Sequence, residues 1–214
     1  MADTLITNLT AVASIGGTEE FGVNLPGSPD VDRKVTASQI KDYIQETVFL
    51  GEFTATAAST LSCDNIFDES VYDHYIISGY LLPASDNVNC LMDLRTAVPA
   101  NVGTTWYAGG VYTRVDGGGT PQGAISSATA LGAGVGNGAD EGVRIDVGTL
   151  KIFASTYRHS FHFPLRVIQY TSTRYSYQYH GEFQDTTARQ GITFYFSSGN
   201  VATGLIRIWG VKKS

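Results

Sequence analysis

At 214 residues, with a net charge of −6 and 16% charged residues, the chain has room for one β-rich domain or two small ones. The charged share is low against a usual value of about a quarter, and 24 Gly, 12 Tyr and 10 Phe point to an all-β structural protein. The acidic balance argues against a phosphate backbone as partner, and the only paired basic residues near the C-terminus are Lys212 and Lys213.

The first fifty residues read as a unit. Leu5–Val12 and Phe21–Leu25 are short runs mixing apolar and polar residues, and a Gly/Pro/Asp-rich turn follows. Thr36-Ala37-Ser38-Gln39 fits a capping box, in which the N-cap hydroxyl and the Gln three residues on each satisfy a backbone N–H that a helix leaves unpaired. Ile40, Tyr43 and Ile44 then fall at i, i+3 and i+4 on one helical face. A module this short buries too little surface to be stable alone. Its apolar face has to close against a second copy, the rest of the chain or a larger body. Ile6, Leu9, Val35, Ile40, Tyr43 and Ile44 are the expected contacts of such an attachment device. An ordinary α+β cap on a β-domain is the alternative.

Residues 1–50 are therefore expected to form the attachment module, 51–60 a small, Thr/Ser-rich linker, and 61–214 a β-domain. Within the latter, Cys63–Phe67 reads as a short strand and Tyr72–Leu82 as a longer one. Pro83 to Asn87 forms a turn, because Pro presets φ while Asp and Asn bond their own backbone. Val88–Thr96 alternates, with Cys90, Met92 and Leu94 on one face and Asp93 and Arg95 on the other, as in a half-buried strand. Cys63 and Cys90, the only cysteines, lie inside strands and read as buried free thiols rather than a disulfide or a zinc site.

Thirteen of the 24 glycines fall between 101 and 148. Trp106–Tyr112 reads as a strand and Asp116–Gly119 as a sharp turn. Ala128–Gly142 looks too poor in apolar bulk to enter a core, and is expected as a long loop, mobile or ordered by a neighbouring subunit. Strands return with Val143, Ile145 and Val147 alternating against Arg144 and Asp146, then Lys151–Thr156, Phe161–Tyr170, Arg174–Phe183, Gly191–Phe196 and Gly204–Val211. Seven or more short strands separated by turn residues suggest an antiparallel sandwich or jelly roll.

Two stretches carry a resemblance. Ile6-Thr7-Asn8-Leu9-Thr10, Gly16 to Glu20, and Lys34-Val35-Thr36 before Ile40 follow the order found in the N-terminal modules of tailed-bacteriophage appendage proteins. Tyr72-Asp73-His74-Tyr75, the Pro83–Asp86 turn, Leu91 to Arg95 and the closing Leu205–Val211 strand resemble small β-domains of phage structural proteins. The resemblance implies a non-enzymatic virion component, most simply a homotrimeric capsid decoration or head fibre. Its partners would be its own copies and a major capsid or tail protein. A short tail fibre recognising a host surface glycan is the other role it implies, and a polysaccharide depolymerase is a less favoured third.

Nothing in the sequence spells a cofactor or metal site. Gly132, Gly134, Gly136 and Gly138 do not follow the G-x-G-x-x-G order and lack a following Lys-Ser/Thr. His159 and His162, three apart in a strand, point to opposite faces and cannot share one ion. No Gly-x-Ser-x-Gly elbow is present. Asp64, Asp68, Glu69 and Asp73 would serve a glycosidase only as two carboxylates facing across a cleft, and otherwise read as a solvated turn. Tyr175, Tyr177 and Tyr179 share one strand face and fit an intersubunit interface, a glycan-stacking surface or a core wall. No apolar stretch is long enough to span a bilayer. MADTLITNLT lacks the pattern of a secretory signal, so synthesis and assembly in the cytoplasm are expected; residence in a virion is what the resemblance implies.

Overall fold

Glu20–Val23 (β1) and Arg33–Thr36 (β2) pair antiparallel, with Glu20 opposite Thr36, Phe21 opposite Val35 and Val23 opposite Arg33. The computed structural model describes residues 20–23, 33–36, 46–97, 100–101, 106–115, 130–153, 158–183 and 188–213. The chain divides into two compact units, residues 1–46 with residue 214, and residues 47–213. In the first unit, the described residues are the two strands and Glu46. The run noted at Phe21–Leu25 overlaps β1, which begins one residue earlier. Beyond Thr36, which closes β2, the expected helix lies outside the described residues, as does the Leu5–Val12 run.

Among the described residues, the second unit has twelve strands in two antiparallel sheets. They are β3 (Thr47–Ala58), β4 (Thr60–Cys63), β5 (Tyr72–Pro83), β6 (Val88–Ala97), β7 (Ala100–Asn101), β8 (Trp106–Arg114), β9 (Ala130–Val135), β10 (Gly142–Lys151), β11 (Ser160–Ile168), β12 (Arg174–Phe183), β13 (Gly191–Phe196) and β14 (Val201–Lys212). The larger sheet runs β3-β14-β5-β10-β11-β12-β8. The smaller runs β4-β13-β6-β7, with β9 also paired to β6. The pairings nest: β3 takes β14, β4 takes β13, β5 takes β10 and β6 takes β9. The chain between Thr47 and Lys212 thus behaves as one long antiparallel pair rolled over, with β11, β12 and β8 added beyond β10.

The strands form where β-branched and aromatic residues alternate with polar ones, so that one side of each strand can be buried. Leu81, Val143 and Val167 are cross-strand neighbours on the inner side of the larger sheet. Leu61, Phe194 and Met92 align in the same way on the smaller sheet. Both inner faces contribute to one apolar core, whose largest fully buried side chains include Tyr75, Phe163, Phe183 and Phe194. Each such side chain contributes roughly 1.5–3 kcal/mol of transfer free energy. Cys63 and Cys90 lie in this core as free thiols, each fully buried.

Several expectations need correction. Residues 51–58 are no linker: they belong to β3, whose backbone is paired along β14, so the division of the chain falls after Glu46. The strand expected over Cys63–Phe67 ends at Cys63, because Ile66 and Phe67 direct their backbone N–H groups to the carbonyl of Gln190 instead of to a ladder. The strand expected over Lys151–Thr156 ends with Lys151, as the close of β10.

Ala128–Gly142 is not wholly loop either. Residues 130–135 form β9, and Leu131 and Val135 enter the core. The small residues permit this: a side chain at Gly132 would press on Val167, so glycine lets β9 close onto the larger sheet. Val147, expected inside, is 57% exposed, because a bulge between Ile145 and Thr149 shifts the alternation and turns Gly148 and Leu150 inward. On β6 the polar face is buried as well as the apolar one. Asp93 accepts a hydrogen bond from the Tyr195 phenol at 2.7 Å, and Arg95 meets Asp64 at 2.5 Å and Ser62 Oγ at 3.0 Å.

Candidate functional site

On β12 the inner positions are Tyr175, Tyr177 and Tyr179, set by their partners Val167, Leu165 and Phe163 on β11. Tyr177 and Tyr179 are buried and Tyr175 is half-buried. Their rings follow one another at 6.0 Å, with Tyr112 of β8 at 5.7 Å from Tyr175 and 5.3 Å from Tyr177. Burial holds the phenols of Tyr177 and Tyr179 protonated well above the usual range, the latter pushed up to about 12. Of the three uses open to this stripe, the wall of the core accounts for Tyr177 and Tyr179, which have no exposed face to offer a sugar.

Of the residues expected at the attachment surface, Val35 stands opposite Phe21 in the β1–β2 pair. Ile6, Leu9, Ile40, Tyr43 and Ile44 lie outside the described residues. Three of the four carboxylates of the 64–73 region, Asp64, Asp68 and Asp73, are each taken up by separate partners. Asp64 pairs with Arg95. Asp68 closes a turn by accepting from the backbone N–H of Ser70 at 2.9 Å and its hydroxyl at 2.5 Å, which holds its carboxyl below the usual range. Asp73 lies 3.1 Å from His74 Nδ1 and 3.1 Å from Lys151 Nζ, and hydrogen bonds from both lower its pKa. His159 is buried and accepts from the Phe153 backbone N–H at 3.1 Å, whereas His162 is exposed and pairs with Gln178 at 3.1 Å. Among the described residues no group of three or more His, Cys, Asp or Glu is placed to hold a metal ion.

A cleft among the described residues lies on the opposite side of the sheet from the tyrosine wall. It has a volume of about 820 Å³ and its floor is the outer face of β5, β10, β11 and β12 near the start of β10. Because Leu81, Val143 and Val167 point inward, the residues next to them point out. The pairings Tyr80 with Arg144, Arg144 with Arg166, and Arg166 with Ser176 therefore form one row across four strands. Arg174, opposite Ile168, adds a third guanidinium one step along. One wall is the approach to β10, where Asp140 and Glu141 stand. Glu141 is held by its own turn: its carboxylate accepts from Gly138 N–H at 2.6 Å, and its backbone N–H donates to the Gly138 carbonyl at 2.9 Å. Tyr175, an inner position, borders the cleft only as the inward-pointing Leu81, Val143 and Val167 do.

This arrangement offers positive charge and directional donors from the floor, acceptors from the wall, and the exposed ring of Tyr80. Its components were visible in the sequence only as polar members of alternating strands. The signal available was that Arg144, Arg166 and Arg174 all occupy outward positions of consecutive long strands.

Comparison with known proteins found no matching family model, no similar curated protein and no similar solved structure.

Proposed function

We propose that the chain is a non-enzymatic structural component of a phage virion: an oligomeric, trimeric capsid decoration or head fibre that docks through its N-terminal unit. The observation that carries this reading is the division after Glu46, which separates a short unit from a β-body able to bury a core of its own. The order of motifs in residues 6–40, which resembles phage attachment modules, supports the same assignment. We read the body as a jelly-roll sandwich. The four nested pairings β3·β14, β4·β13, β5·β10 and β6·β9 support it, since two Greek keys rolled together produce such nesting. Trimerisation is proposed because a 46-residue unit needs a partner surface to be stable.

The test is a pull-down of the purified chain on particles stripped of it, beside a chain lacking residues 1–46. Binding by the full chain alone supports the N-terminal unit as anchor, and imaging then places it on head or tail. Equal binding by the truncated chain overturns the anchor. Light scattering that finds a stable monomer at micromolar concentration overturns the trimer.

A further inference from the structure

The row Tyr80–Arg144–Arg166 is unfavourable for the fold by itself. Like charges directly opposite on neighbouring strands repel. Asp146 takes Arg166 at 2.8 Å, but both side chains are largely exposed, and such pairs contribute little. Among the described residues, the side chains of Arg144 and Arg174 have neither an ion-pair nor a hydrogen-bond partner. Three guanidinium groups thus line one cleft with a single carboxylate committed to them.

We propose that this cleft binds an acidic oligosaccharide. A sugar carboxylate lies between Arg144 and Arg166, whose planar donor forks match its two oxygens. Arg174 meets a second charged or hydroxyl group of the chain. Tyr80, 42% exposed, supplies a ring face for the apolar side of a sugar, and Asp140 and Ser176 take hydroxyl groups.

Three features select this ligand class. The volume of about 820 Å³ lies within the roughly 300–1,000 Å³ typical of small-ligand sites, enough for a short oligosaccharide. The carboxylates of Asp140 and Glu141 in the wall, with a net charge of −6 for the chain, oppose a strand charged at every unit more than a sugar chain with fewer charges, whose hydroxyl hydrogens they can accept. The floor is built on four paired strands rather than on a loop, so the backbone positions that carry the three guanidinium groups are fixed before a ligand arrives. The proposal goes beyond the virion assignment and does not depend on it: the isolated chain would bind such a sugar even if particle binding failed.

The experiment is calorimetric titration of the full chain with short oligosaccharides carrying uronic, sialic or ulosonic acid units. Each is run beside its carboxyl methyl ester and beside a single-stranded oligonucleotide. Binding of at least one acidic oligosaccharide is expected, weakened at least tenfold by esterification and falling as salt is raised. Arg144→Gln and Tyr80→Ala are each expected to weaken it at least fivefold, with the thermal midpoint of Arg144→Gln unchanged or raised. Arg207→Gln, on the same face but outside the cleft, should bind as the parent does. Failure of every acidic oligosaccharide to bind, equal binding of the esters, or tighter binding of the oligonucleotide overturns the proposal.

Discussion

The ring of Phe163 lies over the backbone of Gly148, so close that any β-carbon at position 148 would collide with it. The contact sits where the bulge in β10 turns Gly148 inward, and Phe163 is fully buried there. Gly148 is thus part of the core's shape. Replacing it with Ala is expected to destabilise the fold by about 1–3 kcal/mol through overpacking. Urea unfolding at neutral pH checks this. A variant as stable as the parent would mean that the ring can move aside without cost.

The pair of Asp64 and Arg95 joins the segment after β4 to β6, with the guanidinium almost fully buried and the carboxylate partly exposed. Removing the carboxylate leaves a buried positive charge. Asp64→Ala is therefore expected to cost about 1–3 kcal/mol, less than a fully buried pair would. The double variant Asp64→Ala/Arg95→Met should lose less stability than the sum of the single changes. A full double-mutant cycle by chemical denaturation reads the coupling directly.

Alkaline stability follows from the buried phenols. Desolvation raises the pKa of Tyr75, Tyr177 and Tyr195 above the ordinary value, and for Tyr195 the hydrogen bond to Asp93 adds to it. The folded state then keeps protons that the unfolded chain releases at about pH 10. Stability is fully present below that pH and is lost as pH rises towards the folded-state pKa values. Unfolding curves between pH 8 and pH 11 should show this decline, and the phenolate absorbance of these tyrosines should appear together with unfolding.

The two thiols predict a slow chemistry. Burial raises the pKa of both, that of Cys90 to about 12 and that of Cys63 further, so neither is a thiolate at neutral pH. A thiol reagent should label them only at the rate of opening, and addition of denaturant should expose both together. Rapid labelling of either in the folded protein would contradict its place in the core.

An acid limb is expected as well. Hydrogen bonds lower the folded-state pKa of Asp68 and Asp73, so their contribution is present above the unfolded carboxylate value of about 4 and is lost as pH falls through the lower folded value. Asp73→Asn should flatten the decline in stability below pH 4. Unfolding curves on the acid side, compared between parent and variant, measure the difference.

Much of the β-domain was legible in the chain itself. The limits expected for Arg174–Phe183 and Gly191–Phe196 agree with β12 and β13, and Tyr72–Leu82 and Val88–Thr96 each lack only one residue of β5 and β6. There, alternation is uninterrupted and turn residues mark the ends. Misreadings fell where local pattern and tertiary demand diverge. Residues 51–58 looked like a spacer because Thr, Ser and Ala are small, yet β14 supplies a partner for their backbone. Gly132 looked like loop because glycine packs little, yet its lack of a side chain is what admits β9 to the core.

By itself the sequence determined which residues alternate, and hence most strands, the buried thiols and the opposite faces of His159 and His162. These depend on a two-residue period and on turn chemistry, both local properties of the backbone. The tertiary structure decided which strands pair, that Tyr177 and Tyr179 face inward, and that Arg144, Arg166 and Arg174 share one cleft with Tyr80. Those relations depend on register between distant segments. A shift of one residue would reverse every face, and only the burial of both inner surfaces in one core selects the register.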